Sequence, residues 1–101
     1  MLVEAYDVGG TRLRGALLRG EGMVRPEIVA RDEVPSSLDF CSQILDMSPR
    51  LRAHGTPDAV CVIVPGPVAG GILFTAPPLR LSVPVNVAGS LRDLGRVIVD
   101  N

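Results

Sequence analysis

The sequence contains no lysine, and His54 is its only histidine. Without lysine, these residues can form neither a lysine-dependent P-loop nor a Schiff base with a carbonyl substrate. His54 lies in a polar connector at residues 54–58 and is predicted to face solvent with no part in catalysis. Every other basic residue is an arginine, and a coding bias accounts for this better than a functional demand.

Cysteine is scarce as well. Cys41 and Cys61 are the only two cysteines, and they do not form a C-x-x-C pair. Because one histidine and two separated thiols leave too few ligands, a zinc site is not expected. Both cysteines are instead predicted to behave as small buried hydrophobic residues.

Long apolar runs and a charge excess are also absent. No apolar run approaches the roughly 20 residues that cross a bilayer, and the N-terminus lacks the charged start and apolar core of a signal peptide. A cytoplasmic protein is therefore predicted. The net charge of −1 gives no attraction to nucleic acid or to an anionic membrane, so neither is expected as a partner.

What the chain does contain is apolar material for a core. Hydrophobic residues make up 47% of its 101 residues, which excludes a disordered segment. This length corresponds to one domain or part of one, and it buries roughly 60–70% of the surface of the unfolded chain. A folded core is therefore expected.

Three apolar segments separated by short turns occupy the first third of the chain. The segments Leu2–Val8, Leu13–Arg19 and Met23–Val34 are predicted to be strands of an antiparallel meander. The turn Gly20–Gly22 joins the second strand to the third. Pro26 cannot donate to a ladder of hydrogen bonds, so it predicts that the third strand lies at an edge of the sheet.

A helical period replaces the strand pattern after Pro35. Ser36, followed three residues later by Asp39, matches a capping pattern that opens a helix. Apolar residues recur at three- and four-residue intervals and are predicted to share one face: Leu38, Cys41, Ile44, Leu45 and Leu51. An interior proline removes a helical hydrogen bond, so the helix is predicted to end near Met47, with Pro49 starting a further short turn.

The rest of the chain predicts a crossover back to the sheet. The apolar run Ala59–Val64 predicts a parallel strand buried on both faces. An irregular excursion at residues 65–85 follows, with one brief strand predicted at Ile72–Thr75. Residues 86–94 then predict a short helix capped by Asn86 and Gly95, and Arg96–Asp100 predicts a last buried strand. The fold class is therefore α/β, with a mixed five-stranded sheet of three antiparallel N-terminal strands followed by parallel strands and crossover helices.

The segment Asp7-Val8-Gly9-Gly10-Thr11-Arg12 joins the first two predicted strands. Glycine reaches positive φ without a Cβ penalty, so a tight hairpin is predicted. Its backbone N–H groups form a cradle for phosphate, while Thr11 adds a hydroxyl donor and Asp7 an oxygen ligand for a hard cation such as Mg²⁺. An ordinary hairpin, whose acid and hydroxyl only satisfy turn amides, explains the same residues.

Polar or glycine-rich loops follow several of the predicted strands. They are Asp7–Arg12, Pro65–Gly71 and whatever follows Asp100. In α/β sheets, ligands bind beyond the carboxyl ends of adjacent strands. Because these loops are predicted to meet at one such edge, the phosphate interpretation is favoured over the ordinary hairpin.

These loops resemble motifs of the bacterial glucokinases and the ROK family of sugar kinases. The segment Asp7–Leu18 is similar to the family's first phosphate motif, Val64–Val68 to its G-x-P-G-P-V segment, and Val97–Asn101 to the strand that leads into its Asn-Asp pair. The resemblance implies a ribonuclease-H-like (actin-like ATPase) lobe. It also implies transfer of the γ-phosphoryl group of ATP to a hexose, with ATP and Mg²⁺ as cofactors.

The resemblance further implies roles for individual residues at the phosphates. Asp7 would position Mg²⁺, usually through water. Gly9, Gly10 and Thr11 would approach the β- and γ-phosphates of ATP. Arg12 stands where glucokinases often have asparagine, and it would bring a cation to the phosphates in place of an amide dipole.

Substrate-binding roles are implied for Pro65, Gly66 and Asn101, of which Asn101 would match the family's sugar-contacting asparagine. The general base of the family is an aspartate that follows this asparagine, so it is expected just after Asn101, and no catalytic residue is implied within the chain. Pro78 stands where many members have an asparagine that meets a sugar hydroxyl. Its side chain makes no hydrogen bond, so a less selective sugar site is implied.

The resemblance implies that residues 1–101 are the N-terminal nucleotide- and sugar-binding lobe of a longer kinase, truncated before its catalytic aspartate. The isolated segment is therefore expected to be inactive. Its expected partners are a sugar, ATP and the missing C-terminal lobe, together with further copies of itself in a homo-oligomer.

Two other functions remain open for these residues. One is a non-catalytic, kinase-like module that serves subunit assembly or sugar-responsive regulation. The other is a nuclease of similar topology, which would need several carboxylates around a metal. Asp7 and Asp100 supply at most a pair, so the nuclease is the less favoured of the two.

Overall fold

A computed structural model describes residues 1–21 and 25–101 of the chain. Its main elements, in chain order, are β1 (Leu2–Val8), β2 (Arg12–Arg19), β3 (Glu27–Pro35), α1 (Phe40–Arg52), β4 (Ala59–Ile63), β5 (Val68–Ala69), β6 (Ile72–Leu73), β7 (Val85–Asn86), α2 (Val87–Ser90) and β8 (Val97–Asp100). A five-stranded sheet has the strand order β3-β2-β1-β4-β8. Neither described helix is long and apolar enough to cross a membrane.

The predicted mixed sheet is confirmed. β1 pairs antiparallel with β2, and β2 pairs antiparallel with β3, whereas β4 runs parallel to both β1 and β8. β3 lies at the edge of the sheet, as Pro26 predicted, but it begins only at Glu27, so Arg25 and Pro26 of the predicted strand lie outside it. Met23 and Val24 of the predicted third strand, and Gly22 of the predicted turn, lie outside the described residues.

Strand alternation gives the sheet a covered face and an open face. Helix α1 packs on the covered face, where the buried side chains of β1, β2, β4 and α1 form the core. These side chains are Tyr6, Val8, Leu13, Leu17, Phe40, Ile44, Met47, Leu51, Val60 and Val62. Each such side chain stabilises the fold by about 1.5–3 kcal/mol when it is removed from water, so this layer holds α1 on the sheet.

Helix α1 is longer than the sequence pattern predicted. It runs without interruption through Phe40–Arg52 and includes Pro49, so the predicted end near Met47 is wrong. Beyond the proline, Arg52 Nε donates a hydrogen bond to the buried Glu4 carboxylate at 2.6 Å. This tertiary contact holds the last turn helical and outweighs the backbone hydrogen bond that the proline removes.

The start of α1 also differs from the prediction. Ser36 does not cap the helix, because its buried hydroxyl has no hydrogen-bond partner among the described residues, while its N–H donates to the Thr11 carbonyl at 3.0 Å. The helix begins only after Asp39, whose side chain makes no capping hydrogen bond. The buried face is shifted accordingly, so that Leu38 and Leu45 are 55% and 38% exposed. Their predicted place on the buried face is therefore wrong.

The prediction that β4 is buried on both faces is half wrong. Val60 and Val62 are buried on the covered face, but Ile63 on the open face is 39% exposed. Among the described residues nothing covers the open face at this point. The uninterrupted apolar run therefore produces one core face and one apolar surface.

Both cysteines are free and only partly buried. Burial raises the pKa of the Cys41 thiol to about 11. Burial also raises the pKa of Cys61 above its ordinary value. Both thiols therefore stay protonated at neutral pH, which suits small apolar side chains and not reactive thiolates.

Residues 65–96 contain a second, three-stranded sheet formed by β5, β6 and β7, of which the sequence predicted only one brief strand, at Ile72–Thr75, where β6 lies. The helix predicted over residues 86–94 is divided into α2 and a 3₁₀ turn at Arg92–Leu94. Asn86 Oδ1 accepts a hydrogen bond from the Gly89 N–H at 2.9 Å, which confirms the predicted cap. Gly95 follows with φ +107°, a left-handed conformation that favours glycine.

A buried carboxylate connects the sheet to α1. Glu4 is fully buried on the covered face and accepts hydrogen bonds from the Tyr6 hydroxyl and from Arg52 Nε. Arg52 also donates to the Leu94 carbonyl at 2.6 Å. Burial first, and then the hydrogen bond to Glu4, raises the pKa of Tyr6 well above its ordinary range. The network therefore joins β1, α1 and the segment that precedes β8.

An exposed ion pair joins the end of α1 to β3 and gives the fold a small acid dependence. The hydrogen bond from Arg50 is the main cause that lowers the pKa of Asp32. Since the folded pKa lies below the unfolded value of 3.8, the pair stabilises the fold above that pH, and the contribution is lost as pH falls through the folded pKa. We expect Asp32→Asn to lower the free energy of unfolding by less than about 1 kcal/mol at pH 7 and by almost nothing at pH 2. Urea unfolding at both pH values measures this, and equal losses would contradict it.

Candidate functional site

The turn at residues 9–11 lies at one edge of the sheet, between β1 and β2. The Gly9 N–H donates to the Arg12 carbonyl at 2.9 Å. Neither Gly9 nor Gly10 has a positive φ, so the predicted left-handed backbone is wrong. The glycines instead permit close approach: a Cβ on Gly9 would lie 3.0 Å from the Arg12 oxygen, and one on Gly10 would lie 3.0 Å from the Pro78 Cβ.

Two backbone N–H groups of this turn are available to a ligand. Gly10 and Thr11 are exposed, and their N–H groups donate to no acceptor within residues 1–21 and 25–101. The Thr11 carbonyl accepts a hydrogen bond from Ser36, which anchors the turn to the end of β3. Successive free N–H groups on an anchored turn form a binding site for an anion.

Asp7 lies beside this turn, at the carboxyl end of β1. A row of residues crosses the open face of the sheet from β3 to β8: Glu33, Arg14, Asp7, Ile63 and Asp100. The Asp7 side chain is exposed, and it forms no ion pair with any residue that the structure describes. The turn therefore has a free carboxylate directly next to it.

The guanidinium of Arg12 is directed toward β3. Arg12 Nε lies 3.4 Å from Glu33 Oε1, and Arg14 Nε donates to the same oxygen at 3.1 Å. Of these three residues, only Arg12 was predicted from the sequence to belong to the site. Charges at alternate positions of β2 and β3 were a signal, but the register that pairs them could not be deduced from the sequence.

The structure brings the predicted loops to one edge of the sheet. The carboxyl ends of β1, β4 and β8 share this edge because the strands are parallel. Pro65 and Gly66 follow β4, and Asn101 follows β8. The Val64 N–H donates to the Asp100 carbonyl at 2.9 Å, which joins the ends of β4 and β8. Asn101 itself is exposed.

The irregular excursion that follows β4, residues 65–85, packs against this edge of the sheet. A Cβ on Gly66 would overlap the Thr75 carbonyl oxygen, so Gly66 lies against the backbone of the excursion. Pro78, in the 3₁₀ turn Pro77–Leu79, contacts Gly10. The position implied to meet a sugar is therefore next to the turn implied to meet phosphate.

The carboxylates of the site fit a magnesium site that uses one carboxylate together with phosphates. They fit less well a metal site that is built from several converging carboxylates. The described residues contain no cluster of three or more His, Cys, Asp or Glu side chains that could hold a metal ion. Asp7 and Asp100 lie on strands separated by β4, about 10 Å apart at the backbone. This separation disfavours the nuclease, which needs carboxylates that converge. Asp7 alone fits Mg²⁺, which is often held by one carboxylate together with phosphates and waters.

A concavity of about 780 Å³ lies on the open face next to Asp7. Small side chains of Ala5 and Ala16 line it, with Ile28 and Ile63 among the larger ones. Its volume is in the range of small-molecule sites. The predicted substrate residues after β4 and β8 do not line it, and the sequence did not reveal it because it depends on strand register.

Comparison with known proteins gives matches in structure alone. No protein-family model matches the sequence, and no curated protein is significantly similar to it. A ROK family glucokinase from Streptomyces griseus, solved in complex with glucose and AMPPNP, matches with a TM-score of 0.83 and 18% identity over 100% of this chain and 33% of that chain. ROK hexokinase from Thermus thermophilus matches with a TM-score of 0.79 and 18% identity over 99% of this chain and 35% of that chain.

RuvC from Thermus thermophilus matches less well, with a TM-score of 0.56 and 19% identity over 98% of this chain and 63% of that chain. This chain spans about a third of the length of the sugar kinases it matches. At such low identity the structural similarity shows the fold alone. As far as the fold is concerned, the resemblance to sugar kinases that the motifs predicted is confirmed. The chain has the fold that ROK-family sugar kinases contain within about a third of their length.

Proposed function

We propose that residues 1–101 are the N-terminal nucleotide- and sugar-binding lobe of an ATP-dependent hexose kinase of the glucokinase type. The observation that carries this proposal is the exposed turn with free N–H groups on Gly10 and Thr11 beside the free Asp7 carboxylate. The matched Streptomyces griseus glucokinase, solved with glucose and AMPPNP, supports the ligand classes.

The turn binds the terminal phosphates of ATP through these two N–H groups, and the Thr11 hydroxyl donates a further hydrogen bond. Gly9 has no side chain to hold a phosphate away from the backbone. Asp7 would hold Mg²⁺ through water, and Mg²⁺ held there would supply charge neutralisation at the phosphates during transfer of the γ-phosphoryl group to a sugar hydroxyl. Arg12 adds positive charge at the start of β2.

The sugar lies at the carboxyl ends of β4 and β8. Asn101 presents an exposed amide there, which can both donate and accept hydrogen bonds. Pro65 and Gly66 form the neighbouring wall, and Pro78 adds no polar contact. An aspartate after Asn101 acts as the general base, and a C-terminal lobe closes the cleft. Positioning by both lobes is needed for transfer, so the isolated segment binds ligands without turnover.

Asp7→Asn tests this function in the longer kinase that contains the chain. We expect kcat/KM for hexose-dependent ATP consumption to fall at least about 100-fold, because the variant removes the charge that holds the cation at the phosphates. Coupled measurement of ADP release with glucose and other common hexoses gives the rates.

Asp32→Asn is the matched control for Asp7→Asn. It changes the net charge equally, but Asp32 lies on the covered side of β3 and pairs with Arg50. The activity of Asp32→Asn is expected to stay within about twofold of the wild type, because loss of a surface ion pair changes the stability of the fold only slightly. Absence of turnover with every hexose, or full activity of Asp7→Asn, would refute the proposed function.

A further inference from the structure

Arg14 has a carboxylate on each side of it. In the strand register it lies directly opposite Asp7 on β1 and directly opposite Glu33 on β3. Such opposite residues on one face have Cβ atoms about 4.5–5.5 Å apart. A long arginine side chain can therefore reach either carboxylate without any movement of the backbone.

Glu33 holds this arginine in the structure. Arg14 Nε donates to Glu33 Oε1 at 3.1 Å, and Arg12 Nε lies 3.4 Å from the same oxygen. No ion pair joins Arg14 to Asp7 among the described residues. The Arg14 side chain is 67% exposed, so packing does not restrict it and the choice between the two carboxylates depends on Glu33.

We propose that Glu33 is a positioning residue for the cation site. By binding Arg14, it keeps a guanidinium away from Asp7 and leaves that carboxylate free for a divalent cation. The inference rests on the proposed function, because it takes Asp7 as the cation ligand. It adds a residue on β3 that touches neither the cation nor the phosphates.

The effect depends on competition for one carboxylate. If Glu33 loses its charge, the nearest partner left for Arg14 is Asp7, and a guanidinium–carboxylate pair is a strong, charge-assisted contact. A divalent cation must then displace the guanidinium and bind close to its positive charge. Two like charges about 5 Å apart at a partly screened surface weaken cation binding by about five- to tenfold.

Mn²⁺ is the probe for this competition. The 101-residue chain is titrated with Mn²⁺, and the affinity is measured from the relaxation of water protons and from the broadening of the Asp7 amide signal in NMR spectra. The compared proteins are the wild type, E33Q, the double variant E33Q/R14Q, and D32N. D32N is the matched control, because it makes the same change in net charge on the adjacent residue, which faces the other side of the sheet.

We expect E33Q to bind Mn²⁺ about five- to tenfold more weakly than the wild type, E33Q/R14Q to regain wild-type affinity, and D32N to change by less than twofold. Equal affinity of E33Q and D32N would overturn the inference and leave the proposed function intact. A weakened E33Q that the removal of Arg14 does not rescue would also overturn it. Failure of the wild type to broaden the Asp7 signal would refute the cation site of the proposed function, and the inference with it.

Discussion

Arg52→Met is expected to lower the free energy of unfolding by about 3–5 kcal/mol. Glu4 is fully buried, and Arg52 Nε donates to it at 2.6 Å. Methionine keeps most of the apolar stem of arginine but leaves the carboxylate without a cation. The Leu94 carbonyl loses its partner as well. Urea unfolding followed by circular dichroism measures the loss.

Arg50→Met is the matched control, because it lies two residues earlier on the same helix and its ion pair with Asp32 is exposed. It should cost less than about 1 kcal/mol. The double variant Glu4→Leu with Arg52→Met replaces the buried pair by apolar groups, so it should recover most of the loss. Two results would contradict this stabilising role of the Glu4–Arg52 pair. One is an equal loss of unfolding free energy in Arg50→Met and Arg52→Met, and the other is a double variant no more stable than Arg52→Met.

The sequence predicted those parts of the fold that depend on local patterns. β1 has the predicted bounds Leu2–Val8, and it ends where two glycines follow its apolar run. The edge position of β3 followed from one proline, and the cap of α2 from Asn86. In each case neighbouring residues decide the conformation, so the prediction needed no tertiary information.

Predictions failed where distant residues decide the conformation. Pro49 should end α1, but the contact of Arg52 with Glu4, 48 positions away, keeps the helix going. Gly9 and Gly10 were predicted to be turn glycines with positive φ, yet neither has one, and Gly10 instead allows the close approach of Pro78. No periodicity within a segment reveals such a contact.

The candidate site divides in the same way. Asp7 and the turn that follows it form one short motif, which could be identified directly. Glu33 and Arg14 are 19 positions apart and meet only because β2 and β3 pair in one register. A shift of that register by one residue would turn each side chain to the other face. The Glu33–Arg14 pair therefore remained hidden, while Asp7 and its turn could be identified as a candidate site.

Gly66→Ala is expected to cost at least about 3 kcal/mol, at or above the upper end for overpacking. A Cβ at this position would overlap the Thr75 carbonyl oxygen, which is backbone and cannot rotate away. Thr75 Oγ1 donates to the Leu81 carbonyl at 2.9 Å, and the Phe74 N–H donates to the Pro67 carbonyl at 3.1 Å. These two hydrogen bonds hold Phe74 and Thr75 in place, so the Thr75 carbonyl cannot shift to make room for a Cβ on Gly66. Urea unfolding measures the cost, and amide exchange of Phe74 shows whether the excursion has separated.

Gly70→Ala distinguishes close approach from backbone conformation as the reason for glycine in this loop. Gly70 has φ +58°, and a Cβ there would meet nothing within 4 Å. Its only cost is the left-handed conformation, about 1–2 kcal/mol. If Gly66→Ala costs no more than Gly70→Ala and leaves Phe74 exchange unchanged, the loop can move aside without penalty. Faster exchange in Gly66→Ala alone would show that a backbone contact holds the segment after β4 against the edge where the proposed sugar site lies.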